Sequence, residues 1–238
     1  MAVVSSPRER IIIPLDMPDL ARAKALAAAL APEVGAMKVG LELFNAAGIP
    51  ALTEMVASGA KVFYDAKLHD IPNTVAGAVR AVTAAVPGMW MINVHTTGGS
   101  AMMQAAVEAA KSADQPPLVI GVTVLTSLDE QQLRDELSVS RTPAEQVVRL
   151  AELAQRCGLD GVVASPLEAA AIRAACGPDF LIITPGVRPA GAELGDQRRA
   201  TTPRAAVDAG SDYLVIGRPI TGAADPVAAA RAIAEELA

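Results

Sequence analysis

Three charged side chains stand close together in the segment YDAKLHDIPNTV, residues 64–75: Asp65, Lys67 and Asp70. The apolar residues that lead into this segment are typical of a buried strand that ends here. Because Asp65 and Lys67 are two positions apart, they would point to the same face of that strand. Asp70 would lie beyond the strand and could reach back, or reach across an interface. Such a group favours a site for a polar ligand.

Two other interpretations of this segment remain open. The three charges could form a salt-bridge cluster at a surface loop. The two acids could also bind a divalent metal, although the ammonium group between them would repel the cation.

Two segments that contain glycine and arginine could bind an anion. They are TPGVRPAGAELGDQRR, residues 184–199, and IGRPI, residues 216–220. Gly186 and Gly217 permit close approach of the backbone, so that N–H groups can face the anion. Arg188 and Arg218 would add forked guanidinium donors that suit phosphate oxygens. The alternative is two arginines in surface loops, although IGRP directly follows a buried apolar run.

These segments belong to a regular alternation of β-branched runs with alanine-rich segments. The eight runs are RIIIPLD (10–16), GAMKVG (35–40), KVFYDAK (61–67), MWMINVH (89–95), PLVIGVTVLT (117–126), DGVVAS (160–165), FLIITPG (180–186) and DYLVIGRP (212–219). Helices are predicted between them, for example over residues 19–31 and 142–157, the second with apolar residues at helical spacing. Apolar strands that alternate with helices indicate a parallel sheet covered on its outer face.

Eight such units without a linker-like break predict one α/β domain over residues 1–238, a single (β/α)8 TIM barrel with eight parallel strands. A doubly wound open sheet is the alternative. Its usual dinucleotide signature, G-x-G-x-x-G after the first strand, is absent. The chain reads LDMPDLARA there, where Pro18 suits a helix start.

In such a barrel, the C-terminal ends of the strands form the rim of the active site. The polar residues predicted at this rim are Asp16, Lys38, Asp65, Lys67, His95, Thr126, Ser165, Arg188 and Arg218. Packing does not explain charge at so many strand ends. The sequence therefore predicts one mouth that binds a polar, anionic ligand.

The composition excludes several classes of protein. The net charge of −6 offers no basic field for nucleic acid. The two cysteines, Cys157 and Cys176, form no disulfide framework and no zinc spacing, which favours an intracellular setting. The first residues make a poor signal peptide, and no apolar stretch approaches the roughly 20 residues of a membrane span.

The whole chain resembles the orotidine 5′-phosphate decarboxylase family, in its short bacterial form. The segments that carry the resemblance are LD (15–16), KVG (38–40), DAKLHDIPNT (65–74), VTVLTS (122–127), the loop 184–199 and IGRPI (216–220). The pattern D-x-K-x-x-D alone is shared with phosphosugar decarboxylases and synthases of the same barrel superfamily. DIPNTV and the long loop with arginine and glutamine point to the nucleotide enzyme. Pro14 departs from the small residue expected there.

The resemblance implies that orotidine 5′-monophosphate loses CO₂ to give UMP, the last step of de novo pyrimidine biosynthesis. It implies no metal, no organic cofactor and a cytoplasmic homodimer whose active sites are shared across the interface. Lys67 would donate a proton to C6 of the pyrimidine, and Asp65 would lie beside the scissile carboxylate. Asp70, with Ile71 and Thr74, would enter the neighbouring subunit's site.

The remaining roles implied by the resemblance concern substrate binding. Asp16 and Lys38 would hold ribose hydroxyls, with Lys38 also in the charged network, and Ser165 would contact the pyrimidine edge. The residues implied at the phosphate and in the binding region around it are Thr126, Pro185, Arg188, Gln197, Gly217 and Arg218.

Other functions and features are weighed against this prediction. A metal-dependent phosphosugar decarboxylase or aldolase, or a non-catalytic protein that binds a phosphate ligand, could use the same barrel. Of the two histidines, His69 and His95, the second is expected to have a structural role. TTGGS, residues 96–100, is read as a strand-to-helix turn in preference to an anion site.

Overall fold

The strands close into a barrel. This computed structural model describes residues 6–189 and 201–238. All eight strands are parallel, each pairs with its neighbours in chain order, and β1 pairs with β8. The strands are β1 Ile11–Pro14, β2 Ala36–Val39, β3 Val62–Leu68, β4 Met91–His95, β5 Leu118–Val122, β6 Gly161–Val163, β7 Leu181–Pro185 and β8 Tyr213–Val215. The predicted (β/α)8 TIM barrel is confirmed.

Helices surround the sheet. The described helices are α1 Leu20–Leu30, α2 Leu41–Ala47, α3 Pro50–Ala57, α4 Pro72–Ala85, α5 Gly99–Lys111, α6 Glu130–Asp135, α7 Pro143–Arg156, α8 Ala169–Cys176, α9 Pro203–Asp208, α10 Arg218–Thr221 and α11 Pro226–Glu236. The helix predicted over 142–157 is α7, which begins with a capping box between Thr142 and Glu145. Among the described residues, none of the helices is both long and apolar enough to cross a membrane.

The core has two layers. Alternate strand residues point into the barrel, where a small cluster fills the lower part: Ile12, Ala36, Phe63, Met91, Ile120, Ile183 and Val215. A larger apolar layer joins the strands to the helices. Since the side-chain period of a strand is two, the residues two positions after this cluster lie at the C-terminal ends of the strands, which we call the mouth.

Some predicted strands were too long. The fifth run was expected to reach Thr126, but β5 ends at Val122, and Thr126 lies in a turn. Its apolar continuation is a loop that packs Val124 with only 6% of its surface exposed. Likewise Arg218, predicted on the eighth strand, begins α10. An apolar run does not distinguish a strand from a buried loop, because burial alone accounts for both.

Candidate active site

A cavity of about 170 Å³ opens at the mouth. Its described lining comes from six strands and the loop after β5: Lys38, Phe63, Asp65, Lys67, Val122, Val124, Leu125, Thr126, Val163, Pro185 and Val215. One wall is therefore charged and the others are mostly apolar. This combination suits a partly apolar ligand that carries negative charge.

The charged wall is an alternating network of ion pairs. The Lys67 Nζ lies 2.7 Å from Oδ1 of Asp65, and the Lys38 Nζ lies 3.1 Å from Oδ2 of the same carboxylate. Lys38 also contacts Oδ1 of Asp16 at 3.2 Å. The structure thus brings together Asp16, Lys38, Asp65 and Lys67 as predicted. Within residues 6–189 and 201–238, no three His, Cys, Asp or Glu side chains form a group that could hold a metal ion.

Both central groups of the network stay charged. Burial opposes ionisation of Asp65, but Lys38 and Lys67 outweigh it and hold the pKa of the carboxyl below its ordinary range. Burial also opposes the charge on Lys38, yet Asp65 and Asp16 raise the pKa of its ammonium above the ordinary value. The site therefore presents fixed charges of both signs at neutral pH.

The backbone at Lys67 departs from a regular strand. Its φ is 51°, and the register between β3 and β4 shifts between Tyr64 and Leu68. Asp65 and Lys67 were predicted to share a face through simple alternation. They do meet, but through this bulge, which turns the lysine toward the carboxylate.

Sequence reasoning missed Asn93, which lies on β4 with none of its surface exposed. Its Nδ2 donates to Oδ1 of Asp65 at 2.7 Å, and its Oδ1 accepts from the Lys67 N–H at 2.7 Å. A signal was available, since Asn93 is two positions after the inward-facing Met91 in the run MWMINVH. By strand alternation, its amide points into the mouth.

Gly40 lies directly against the same network. A Cβ atom at this position would lie 2.9 Å from the Lys38 Nζ and 3.1 Å from Oδ1 of Asp16. The ion pair therefore passes directly over the backbone at the start of α2. A side chain there would displace one of the two partners.

The predicted residues of the loop after β3 lie at the rim. Asp70 is exposed, and its Oδ1 accepts a hydrogen bond from the Ile71 N–H at 2.6 Å. Ile71 is 66% exposed, and Thr74 is exposed in the first turn of α4. The structure of one chain thus keeps these three residues apart from the Asp65 network and turned toward solvent.

The predicted anion end lies across the mouth. Arg188 is only 8% exposed, and its Nη1 donates to the Val187 carbonyl at 2.9 Å. Burial, and then the neighbouring charge of Arg218, lower the pKa of the Arg188 guanidinium. The mutual repulsion of these two cations favours a ligand of opposite charge at this end.

Two glycines lie at this end. Gly186 has a φ of 77°, which favours glycine, and a Cβ at Gly217 would lie 3.1 Å from Cγ of Pro14. Ser165 is fully buried, and its Oγ accepts from the Leu167 N–H at 3.3 Å. Gln197 lies outside the described residues.

The two histidines form a pair beside the network. The ring centroids of His69 and His95 are 5.4 Å apart. Burial, then His69 and Lys67, lower the pKa of His95, while Asp65 opposes them. A neutral imidazole that packs against a second ring agrees with the structural role expected for His95. TTGGS forms a short 3₁₀ turn over Thr96–Gly98 that leads into α5, as predicted.

Comparisons with known proteins agree across the whole chain. Residues 9–233 match the profile of the Orotidine 5′-phosphate decarboxylase / HUMPS family. The orotidine 5′-phosphate decarboxylase of Moorella thermoacetica is 56% identical over 235 residues, 97% of this chain and 92% of that protein. That of Halorhodospira halophila is 55% identical and covers 100% of this chain and 99% of its own length.

A solved structure agrees with these relatives. The crystal structure of orotidine 5′-phosphate decarboxylase from Lactobacillus acidophilus superimposes with a TM-score of 0.84 at 38% identity, over 95% of this chain and 98% of that one. The similarity in fold therefore extends over nearly the whole chain.

Proposed function

We propose that this chain, which belongs to the orotidine 5′-phosphate decarboxylase / HUMPS family, removes CO₂ from orotidine 5′-monophosphate to give UMP. This is the last step of de novo pyrimidine biosynthesis. The observation that carries the proposal is the Asp65 carboxylate held between the ammonium groups of Lys38 and Lys67 at the wall of the cavity. Relatives that carry the decarboxylase name match almost the full length.

The reaction needs stabilisation of a localised negative charge. The bond between C6 and the carboxylate breaks, CO₂ leaves, and the electron pair stays on C6, where the ring delocalises it poorly. Lys67 stabilises that charge from a position fixed before the reaction and then transfers a proton from Nζ to C6. Its contact with Asp65, 2.7 Å, holds the ammonium group in place.

Asp65 contributes through its own charge. A carboxylate placed about 4 Å from the substrate carboxylate would repel it by roughly 4 kcal/mol at an effective dielectric of about 20. The repulsion ends as neutral CO₂ leaves. Because Lys38 and Lys67 already compensate the charge of Asp65, stabilisation by Lys67 is the larger effect.

The phosphate of the nucleotide provides binding energy far from C6. Arg188, Arg218, Gln197 and the backbone at Gly217 hold it, and Thr126 and Pro185 border the same region. Asp16 and Lys38 bind the ribose hydroxyls, and Ser165 contacts the pyrimidine edge. Such remote binding can support the charged geometry at the reacting carbon.

The active unit in this proposal is a homodimer. Asp70, Ile71 and Thr74 extend from one subunit into the mouth of the other. Support comes from their exposure and from other exposed apolar residues near strand ends, Leu41 at 53% and Leu167 at 63%. We also propose that residues 1–238 form one catalytic domain, which works in the cytoplasm without metal, organic cofactor or nucleic acid.

Loss of orotidine 5′-monophosphate absorbance in a dialysed, metal-free sample tests the activity. We expect full turnover that EDTA does not change. A sample that is inert toward this nucleotide, and that processes a phosphosugar only when a metal is added, would replace the proposal with a metal-dependent lyase.

Mixing two inactive variants tests the shared site. Lys67→Ala and Asp70→Ala homodimers should each be nearly inactive. After subunit exchange, a mixed dimer carries one site in which both Lys67 and Asp70 are intact, so activity should return to as much as about a quarter of the wild-type value per subunit in an equal mixture. Absence of any recovery in verified mixed dimers would show that Asp70 acts within its own subunit or not at all.

A further inference from the structure

Asn93 uses both ends of its amide on the two residues of the proposed reaction centre. Its Nδ2 donates to Oδ1 of Asp65, and its Oδ1 accepts from the backbone N–H of Lys67, each at 2.7 Å. The side chain is fully buried on β4. Burying an amide among apolar neighbours is favourable only if its hydrogen bonds are made, so this orientation is strongly preferred.

The contacts close a ring. The Lys67 Nζ donates to the same Oδ1 of Asp65 that accepts from Asn93. The ring runs from the Asp65 carboxylate through the lysine side chain to its backbone N–H, and returns through the amide. Movement of either reacting residue would therefore break a hydrogen bond to the amide.

The amide also replaces strand pairing. The register between β3 and β4 shifts between Tyr64 and Leu68, so the regular pattern of hydrogen bonds between the two strands is interrupted there. The Lys67 N–H is bonded instead to a side chain of the neighbouring strand. Asn93 thereby supports the left-handed conformation, φ 51°, that directs the lysine toward Asp65.

We propose that Asn93 is a positioning residue for decarboxylation: it fixes the Asp65 carboxylate and the Lys67 backbone so that the ammonium group meets the reacting carbon. The inference rests on the proposed function. Asn93 acts through its two neighbours and takes no proton itself. Its loss should therefore reduce kcat much more than nucleotide binding, which depends on groups across the mouth.

Two variants separate positioning from mere support of the fold. Asn93→Ala removes both hydrogen bonds, and we expect kcat to fall about ten- to a hundredfold, with KM changed by less than about threefold. Asn93→Asp keeps an acceptor for the Lys67 N–H but loses the donor to Asp65 and adds a repelling charge. On acidification the new carboxyl becomes protonated and can donate again, so kcat relative to wild type should rise as pH falls.

Ser211→Ala is the matched control. Ser211 is also buried, shortly before β8, and its hydroxyl bonds Thr184 at 2.7 Å, outside the network. It should lower the melting temperature while leaving kcat per folded molecule unchanged. The inference is overturned if folded Asn93→Ala keeps kcat within about twofold of wild type, or if Asn93→Asp shows the wild-type pH profile. A wild-type chain that does not consume orotidine 5′-monophosphate would refute the proposed function instead.

Discussion

Hydrogen-bonded carboxylates occur at both ends of the barrel, buried at the mouth and half-buried at the opposite end, and their partners differ. At the mouth, the described contacts of Asp65 are with side chains, those of Lys38, Lys67 and Asn93. At the opposite end, Asp212 precedes β8, and its Oδ2 accepts from the Ile182 N–H at 2.8 Å and from Arg173 Nη2 at 2.7 Å.

At the end opposite the mouth, charged side chains form hydrogen bonds with backbone groups. Asp160 precedes β6, and its Oδ2 accepts from the Val119 N–H at 2.8 Å. Arg173 donates to four carbonyl oxygens as well as to Asp212; these belong to Gly177, Pro178, Phe180 and Gly210. Charged side chains that bond to backbone groups, as at this end, support the fold. Charged side chains that bond only to other side chains and line a cavity, as at the mouth, can interact with a ligand.

The strongest test of this contrast is Lys67→Ala. We expect kcat to fall by at least about 10²- to 10³-fold, because the developing charge on C6 loses its stabilising ammonium and its proton source. Binding of UMP, measured by calorimetry, should persist. Lys24→Ala, which removes an exposed ammonium paired with Glu54, is the control and should leave kcat unchanged. Substantial turnover by Lys67→Ala would contradict the assigned role.

Arg218→Ala should reduce kcat/KM by well over tenfold, since the phosphate loses a forked donor and with it part of the remote binding energy. Steady-state kinetics with orotidine 5′-monophosphate measure this. The exposed Arg156, near the C-terminus of α7, provides the control Arg156→Ala, which should match wild type. An unchanged kcat/KM in Arg218→Ala would remove this residue from the phosphate site.

At the opposite end, Asp212→Ala should affect stability and not chemistry. The Ile182 N–H loses its side-chain acceptor and Arg173 loses its counter-charge, so the free energy of unfolding should fall by about 1–3 kcal/mol. Denaturant titration measures it, and kcat per folded molecule should stay constant. In Asp135→Ala, which removes an exposed pair with Arg134, the loss should be about 0–1 kcal/mol. A large fall in kcat would mean that this end is coupled to the reaction.

The smallest expected effect concerns how the free energy of unfolding depends on pH. The contributions of Asp65 and Asp160 to it should change with pH in opposite directions. Although burial opposes its charge, lysines hold the pKa of Asp65 low, so its stabilisation is complete above the ordinary pKa of about 3.9 and is lost as pH falls through the lower folded-state pKa. Burial raises the pKa of Asp160, so its contribution is complete below about 3.9 and is lost as pH rises through the folded-state pKa.

Asparagine variants of both residues make this measurable. Between about pH 3 and pH 6, the difference in unfolding free energy between wild type and Asp65→Asn should grow with pH. The difference for Asp160→Asn should shrink over the same interval. If both differences changed with pH in the same direction, the pKa values of the two carboxyl groups would not be shifted in opposite directions, and the contrast would be wrong.

Much of the site could be predicted because it follows local rules. The period of two places Asp65 and Lys38 inward at strand ends, and parallel topology brings those ends to one rim. The same rule points Asn93 inward, but a single amide in an apolar run attracts attention only once its partners are known. The bulge at Lys67 arises from pairing with β4, a tertiary contact that sequence spacing does not contain.

The helix at Arg218 was missed for another reason. IGRP continues a buried run, so composition favours a strand up to Arg218, but Gly217 already begins the turn into α10. A Cβ atom at Gly217 would lie 3.1 Å from Cγ of Pro14 in β1, so a side chain there would require the proline ring to shift. That restriction comes from a strand about 200 positions away in the sequence, which no local pattern reveals.

The backbone conformation of Lys67 makes lysine unfavourable for stability at the position where the proposed reaction requires it. A non-glycine residue at φ 51° carries a penalty of roughly 1–2 kcal/mol, while Asp65 would keep Lys38 and Asn93 if the lysine were lost. In a mutant library chosen only for heat tolerance, we therefore expect position 67 to drift toward glycine. A library grown without uracil should return to lysine, because in the proposed reaction this strained residue supplies the proton.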